Sequence, residues 1–151
     1  MKHAWSLICE KSTIDSETNA LSIFNCIEEL NAVVDVLKVP NPTQIMIPLS
    51  FQIISVWELD GENSMDLEIK IVDPEGLAVH SLNPKFTIDK PYKRYRCRIN
   101  IQSIPVSKNG RYIIKINRKS DGETKYKTES EISLDIQISL QDVNSTYDKN
   151  N

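Results

Sequence analysis

The feature that most constrains the fold of this chain is a regular alternation of apolar and polar residues. In the segment 131–140 every second residue is Ile or Leu, and the residues between them are Glu, Ser, Asp or Gln. The segments 64–73, 94–102 and 111–118 follow the same scheme. A period of two puts all apolar side chains on one face of a β-strand, whereas a helix needs a period of 3.6. The pattern therefore predicts half-buried antiparallel strands.

Further segments complete the set of predicted strands, and Val79-His80-Ser81 fits the end of one more short strand. The segments 4–12 and 21–28 flank the polar stretch 13–19 and predict a first hairpin. The segment 50–59 carries apolar residues on both parities, which predicts a strand that is covered on both faces. The segment 29–48 is ambiguous, because its apolar start fits a strand or a short helix and its prolines favour an extended crossing.

Turn sequences separate these strands. Asp73-Pro74-Glu75-Gly76 has proline at the second and glycine at the fourth position, as type I turns prefer. Asp60-Gly61 and Asp121-Gly122 are two further candidates for tight turns.

Together these elements predict an all-β protein. The 151 residues, 40% of them hydrophobic and 26% charged, fit one globular domain. About eight short strands predict a single-domain antiparallel β-sandwich over residues 1–140, followed by a polar, disordered tail over 141–151. Four glycines are few for a tightly closed barrel. The large side chains that we expect in the core are Trp5, Phe51, Trp57, Tyr95 and Tyr112.

Three motifs resemble those of a small bacterial all-β family. The segment 14–27 is similar to the family's opening hairpin, in which a D-x-E-T-G-K-L-S turn joins two strands, and here Asn19-Ala20 replace Gly-Lys. Asp73-Pro74-Glu75-Gly76 matches its D-P-x-G turn, and Gly110-Arg111-Tyr112 matches a G-x-Y step that is also similar to late strands of immunoglobulin-like domains. The family is catalogued only as a domain of unknown function, so the resemblance implies an immunoglobulin-like sandwich and no activity.

Charge and hydropathy limit the partners that we expect. Eighteen Lys and Arg against 21 Asp and Glu give a net charge of -3, so no overall field attracts nucleic acid or anionic lipid. No segment approaches the ~20 apolar residues of a membrane-spanning helix, and the N-terminal segment is too short and too soon charged for a secretory signal. We expect a cytoplasmic protein without membrane association.

The cysteines and histidines do not form a catalytic or metal-binding pattern. Cys9, Cys26 and Cys97 lie inside strand patterns without C-x-x-C spacing, and His3 and His80 are the only potential imidazole bases. We therefore expect reduced, mostly buried thiols and surface histidines, no catalytic residues and no zinc.

Calcium and nucleotide cofactors are not expected either. Five acidic residues lie around two turns at opposite ends of the strand 64–73, about 30 Å apart, so they cannot share one ion. These residues are Asp60, Glu62, Asp66, Asp73 and Glu75. The chain has no phosphate-binding glycine motif. We predict no cofactor and no metal.

A cluster of basic residues is the one candidate binding surface. Lys90, Lys93, Arg94, Arg96 and Arg98 are close in sequence, and the three arginines share the outward parity of one strand. If the loop 103–110 closes a hairpin, Arg111 and Lys115 join the same face. The predicted binding face therefore consists of Arg94, Arg96, Arg98, Arg111 and Lys115.

Two roles for this face remain open. With Tyr92 and Tyr95 nearby, it could bind RNA, single-stranded DNA or an acidic protein. Alternatively, Glu129, Glu131 or Asp135 on a neighbouring strand could neutralise it. By elimination, we expect a non-enzymatic protein-interaction module whose partner is another protein or a second copy, with nucleic-acid binding as the alternative.

Overall fold

The computed structural model describes residues 1–35, 45–47, 50–89, 93–120 and 122–141. These residues form strands β1 (Lys2–Ile14), β2 (Leu21–Cys26), β3 (Glu29–Asp35), β4 (Ile45–Ile47), β5 (Phe51–Glu58), β6 (Ser64–Val72), β7 (Ala78–Leu82), β8 (Lys85–Thr87), β9 (Arg94–Ile101), β10 (Ile104–Val106), β11 (Gly110–Lys119) and β12 (Lys127–Gln141). Within this part of the chain, no helix is long and apolar enough to cross a membrane.

The all-β prediction is confirmed, with twelve described strands where about eight were expected. The additional strands are β3, β4, β8 and β10. Three of these have three residues each, which is too few for an alternation to be visible in the sequence. The fourth, β3, resolves the ambiguous start of the segment 29–48 as a strand, whereas Pro40, Pro42 and Pro48 lie outside the described residues. Asp121 and residues 142–151 of the predicted tail also lie outside the described residues. Gln141, the first residue of that predicted tail, is the last residue of β12.

Two main sheets pack face to face. Sheet A has the strand order β2-β1-β5-β9, and sheet B has the order β3-β12-β11-β6-β7, with β8 also paired to β6. The main-sheet pairings are antiparallel except that of β3 with β12, which is parallel. Side chains from both sheets form one hydrophobic core. The molecule is therefore a β-sandwich.

The predicted core aromatics divide into three groups. Phe51, Trp57 and Tyr112 are fully buried, as expected. Tyr95 is only half-buried and packs at the margin of the core. The prediction for Trp5 is wrong, because its side chain is 40% exposed.

A β-bulge explains the position of Trp5. The pairing of β1 with β5 shifts register between His3 and Trp5. His3 consequently lies opposite the inward-facing Trp57, with the two ring centroids 5.0 Å apart, whereas Trp5 lies opposite Val56 on the outer face. One extra residue in a strand is sufficient to move a side chain to the other face of a sheet.

The prediction that the segment 50–59 is covered on both faces is confirmed. Strand β5 runs between β1 and β9, with Ile53 and Trp57 in the core. Ile54 and Val56 point to the opposite face and are also buried. In the register, Ile54 lies between Leu7 and Arg98, so neighbouring side chains shield it.

The D-P-x-G turn and the G-x-Y step contact each other. A Cβ atom added to Gly110, whose φ is +139°, would lie 2.9 Å from Cγ of Pro74. Lys108 forms an ion pair with Glu75 in the same corner. The Tyr112 hydroxyl donates a hydrogen bond of 2.9 Å to the carbonyl oxygen of Lys108. Close packing of the two turns therefore requires glycine at position 110.

Candidate interaction face

The five basic residues of the predicted binding face lie on two different sheets. Arg94, Arg96 and Arg98 are on β9, which pairs with β5 in sheet A. Arg111 and Lys115 are on β11, which pairs with β6 and β12 in sheet B. The expected hairpin over 103–110 is wrong. Within that loop the chain forms β10, which pairs with β4, and crosses from one sheet to the other.

On sheet B the basic residues are neutralised by cross-strand carboxylates. Arg111 forms two hydrogen bonds with Asp135, of 2.8 and 3.0 Å. This arginine lowers the pKa of the Asp135 carboxyl, and the carboxylate raises the pKa of the guanidinium. Lys115 lies 3.0 Å from Glu131. The prediction that acidic residues neutralise part of the basic face is therefore confirmed for Arg111 and Lys115.

On sheet A the arginines have mainly neutral partners. Arg96 donates hydrogen bonds to the backbone carbonyl and the side-chain oxygen of Asn19, of 2.8 and 3.1 Å. Arg98 makes a long contact of 3.5 Å with the carbonyl oxygen of Ser12. Arg94 lies 3.7 Å from Glu58. Among the described ion pairs, none includes Arg96 or Arg98, so their charges are not compensated.

The first hairpin, which was predicted correctly, bends over the outer face of sheet A. Ser12 donates a hydrogen bond of 2.6 Å to the Gln52 side chain, which in turn donates one of 3.0 Å to Asn100 on β9. Together with the contacts of Arg96 and Arg98, these bonds fix the hairpin against β5 and β9.

The turn of this hairpin is held by its own side chains. One carboxylate oxygen of Asp15 accepts hydrogen bonds from the backbone amide and the hydroxyl of Thr18 and from the amide of Glu17. These bonds lower the pKa of Asp15. Asn19 has a φ of +54°, which asparagine adopts more readily than most residues. This conformation of Asn19 places the two oxygens that bind Arg96.

A basic groove lies between the hairpin and the start of β9. Its volume is about 630 Å³. It is lined by Ile14, Asn19, Lys93, Arg94, Tyr95 and Arg96. Three of these side chains are cationic and none is acidic, so the groove favours an anionic ligand. Lys90 and Tyr92, which belonged to the predicted basic cluster, lie outside the described residues.

Two exposed aromatic residues lie in this region, Trp5 on the outer face of sheet A and Phe24 on β2 of the hairpin. Trp5 is 40% exposed and Phe24 is 49% exposed. Trp5 is opposite Val56, and Phe24 is opposite Lys11. Sequence reasoning missed both residues as surface features. The bulge before Trp5 leaves no mark in the sequence, whereas the adjacent apolar pair Ile23-Phe24 was a visible sign that one of the two must face outward.

The thiols and imidazoles occupy different environments. Cys97 is buried in the core, and burial raises its pKa. Cys9 is buried as well, whereas Cys26 is exposed, so the expectation of mostly buried thiols is confirmed, with Cys26 as the exception. His3 and His80 are both half-buried, contrary to the expectation of surface histidines, and burial lowers the pKa of His3. No described hydrogen bond joins a cysteine to a histidine.

Among the described residues, the nearest approach to a catalytic arrangement is a short series of hydrogen bonds on the inner face of sheet A. The His3 ring nitrogen Nε2 lies 2.7 Å from the Ser6 hydroxyl, which donates a bond of 2.9 Å to Ser55. Ser55 is fully buried. These bonds satisfy the hydrogen-bonding capacity of buried hydroxyl groups.

The acidic residues that were considered for calcium have other partners. Glu62 pairs with the terminal ammonium of Met1, and Asp66 pairs with Lys85 and Lys119. Asp73 accepts hydrogen bonds from the backbone of its own turn. Within the described ranges, no group of three or more His, Cys, Asp or Glu is placed to hold a metal ion.

Comparison with protein-family models and with curated proteins gives no match to this chain. Its surface is therefore the basis for an inference about function. The basic groove, the arginines of β9 and the exposed Trp5 lie together on what we call the outer face of sheet A. The side chains that define this face are Trp5, Arg94, Arg96 and Arg98.

Proposed function

We propose that this protein is a non-enzymatic binding module that recognises an acidic segment of another protein with the outer face of sheet A. The observation that carries the proposal is the contrast between the two sheets. Arg111 and Lys115 on sheet B have carboxylate partners, whereas the partners of Arg96 and Arg98 among the described residues are neutral oxygens. A charged row without counter-charges favours a partner that supplies them.

The arginines are positioned before a partner binds. Asn19 holds the Arg96 guanidinium through two bonds, and the Asp15 carboxylate fixes the turn that carries Asn19. A guanidinium held in place loses less conformational entropy on binding. Its remaining donors can bind a carboxylate through two parallel hydrogen bonds.

Strand β9 also offers a way to bind an extended segment. In the described part of sheet A it pairs only with β5 and is the last strand of the sheet. A segment that adds to this edge as a strand places every second side chain opposite Arg94, Arg96 and Arg98. Trp5 provides apolar contact area on the same face. The partner that fits is an extended segment with alternating acidic residues and apolar residues nearby.

Two further features support a binding module. The buried core thiol of Cys97 has a raised pKa, which is unfavourable for a nucleophile. The hydrogen bond from Tyr112 to the backbone four residues upstream is the arrangement of the tyrosine corner in immunoglobulin-like sandwiches, a frequent fold of binding modules. We therefore include an immunoglobulin-like fold and the absence of catalysis in the proposal.

Nucleic-acid binding is the second candidate, and the exposure of Trp5 favours it. Single-stranded nucleic acids are bound by aromatic side chains next to basic grooves. The described outer face carries Trp5 and three arginines, and Trp5 and Arg96 flank Val56 in the register. The same experiment separates the two candidates.

The experiment selects short random peptides on the immobilised full chain and measures the affinity of the enriched peptides. The test variant is Arg96→Glu/Arg98→Glu. The matched control is Arg111→Glu/Lys115→Glu, which makes the same change of charge on the other sheet. Binding of a single-stranded oligonucleotide is measured in parallel at several salt concentrations.

We expect enriched peptides to be acidic and the test variant to lose at least about tenfold in affinity, or ~1.4 kcal/mol. The control should bind like the wild type. An equal loss in both variants would show that only net charge matters and would contradict the proposal. Oligonucleotide binding that the test variant abolishes, without enrichment of acidic peptides, would establish the second candidate instead.

A further inference from the structure

Two cysteines lie directly opposite each other in the first hairpin. Cys9 on β1 is the register partner of Cys26 on β2. The amide of Ile27 donates a hydrogen bond of 3.0 Å to the carbonyl of Ile8. This bond connects the residue after Cys26 with the residue before Cys9, so the cysteines form a non-hydrogen-bonded pair of the antiparallel ladder.

This type of pair has the geometry of a cross-strand disulfide. Its Cα atoms are about 4.5 Å apart, and both side chains point to the same face of the sheet. A disulfide joins residues whose Cα atoms are about 4.4–6.8 Å apart. Beside the pair, the Asn25 side chain donates a hydrogen bond of 2.6 Å to Glu10, which holds the two strands in register.

The two thiols have different access to solvent. Cys9 is fully buried and Cys26 is exposed. Burial raises the pKa of the Cys9 thiol, and the charge of Cys26 raises it further. Cys26 is thus the thiol that a reagent in solution meets first, and Cys9 is placed to react with it afterwards. Cys97 lies in the core, on the opposite face of sheet A.

We propose that Cys9 and Cys26 are a redox modification site that forms a disulfide by exchange with a low-molecular-weight disulfide such as glutathione disulfide. The Cys26 thiolate attacks one sulfur of glutathione disulfide, the S–S bond breaks, and one glutathione thiolate leaves with the electron pair. The Cys9 thiol loses its proton to solvent and attacks the sulfur of Cys26. The second glutathione thiolate then leaves. Two cysteine thiols are oxidised, and one glutathione disulfide is reduced to two glutathione molecules.

The disulfide is expected to fix the edge strand β2 to β1. In the described part of sheet A, β2 pairs only with β1, so it depends on this one ladder. A covalent link in its last residue opposes opening of the ladder. The site is independent of the proposed binding function, although it lies on the same outer face.

The test exposes the native full chain to mixtures of oxidised and reduced glutathione and blocks free thiols at intervals. Mass spectrometry of the intact protein and of its tryptic peptides without reduction then identifies each bond. Lys11 separates Cys9 and Cys26 into different tryptic peptides, so their disulfide appears as a linked pair. Hydrogen exchange of the β2 amides is compared between the two forms.

We expect a monomer that has lost the mass of two hydrogen atoms, contains the linked peptides and exchanges its β2 amides more slowly. Cys9→Ser should stop at a mixed disulfide of Cys26 with glutathione, Cys26→Ser should not react, and Cys97→Ser should behave like the wild type. A wild-type protein that also stops at the mixed disulfide, or that forms dimers linked through Cys26, would overturn the proposal. So would a bond that includes Cys97 in the native protein.

Discussion

Replacement of Tyr112 by phenylalanine tests the corner in which the two sequence motifs meet. The Tyr112 side chain is fully buried, and its hydroxyl donates a 2.9 Å bond to the carbonyl oxygen of Lys108. Tyr112→Phe keeps the ring in the core and removes only the hydroxyl group. The variant therefore creates no large cavity, and the measured change reports on the hydrogen bond.

The expected loss of stability follows from the surroundings of the acceptor. A typical hydrogen bond contributes about 0.5–1.5 kcal/mol, and a buried group left without a partner costs about 1–3 kcal/mol. Because Lys108 is half-buried, its carbonyl group can bind water in the variant, which offsets part of the cost of the lost hydrogen bond. We expect a destabilisation of about 1–1.5 kcal/mol. For a domain of this size, that lowers the Tm by roughly 2–6 °C.

Urea unfolding followed by tryptophan fluorescence measures this loss, and Tyr126→Phe is the matched control. Tyr126 is half-buried, and its ring centroid lies 5.6 Å from the Lys119 ammonium nitrogen. Its hydroxyl group has no described hydrogen bond. The control should change stability by less than about 0.5 kcal/mol. If Tyr112→Phe is as stable as Tyr126→Phe, the corner does not stabilise the fold as argued.

Two further predictions concern Gly110, in the same corner as Tyr112, and the half-buried His3. Gly110→Ala should cost about 1–3 kcal/mol, because alanine would strain the backbone at a φ of +139° and press against Pro74. Burial lowers the pKa of His3 in the folded state, so near the ordinary histidine pKa of 6.5 the folded protein binds fewer protons than the unfolded chain. Stability should therefore fall as the pH decreases through this range, and His3→Gln should remove that dependence.

Each of these predictions has a reference for comparison. Gly122 also has a positive φ, of +79°, but open space around its Cβ position, so Gly122→Ala should cost less than Gly110→Ala. Equal costs would exclude the contact with Pro74 as the cause. For the histidine, the wild type is the reference, and an unchanged pH dependence in His3→Gln would exclude His3 as its cause. Both sets are measured by chemical denaturation, the histidine variant and the wild type between about pH 5 and 8.

The sequence was sufficient to predict the strands in which alternation is long and regular. The segment predicted over 64–73 is strand β6, Ser64–Val72, and the segment over 131–140 lies within β12. Burial of one face decides which residues alternate, so the pattern is a direct record of the fold. Trp5 was misplaced because a bulge is a feature of pairing and leaves the composition of its strand unchanged.

The candidate site was only partly predictable. Alternation placed Arg94, Arg96 and Arg98 correctly on one outward face. It could not reveal that the next long strand belongs to the other sheet, because a strand's pattern specifies which of its faces is buried and says nothing about its neighbours. Arg111 and Lys115 were assigned to the wrong face for this reason. Their carboxylate partners were foreseen because charged residues pair across adjacent strands.

The most direct test of the binding proposal is a map of backbone amide chemical shifts. The isotope-labelled full chain is titrated with an acidic peptide selected as described above. We predict shift changes along β9 and in the first hairpin around Asn19, with the β11 and β12 amides near Arg111 and Asp135 unchanged. Changes centred on β11 and β12, or spread evenly over both sheets, would contradict the assignment of binding to the outer face of sheet A.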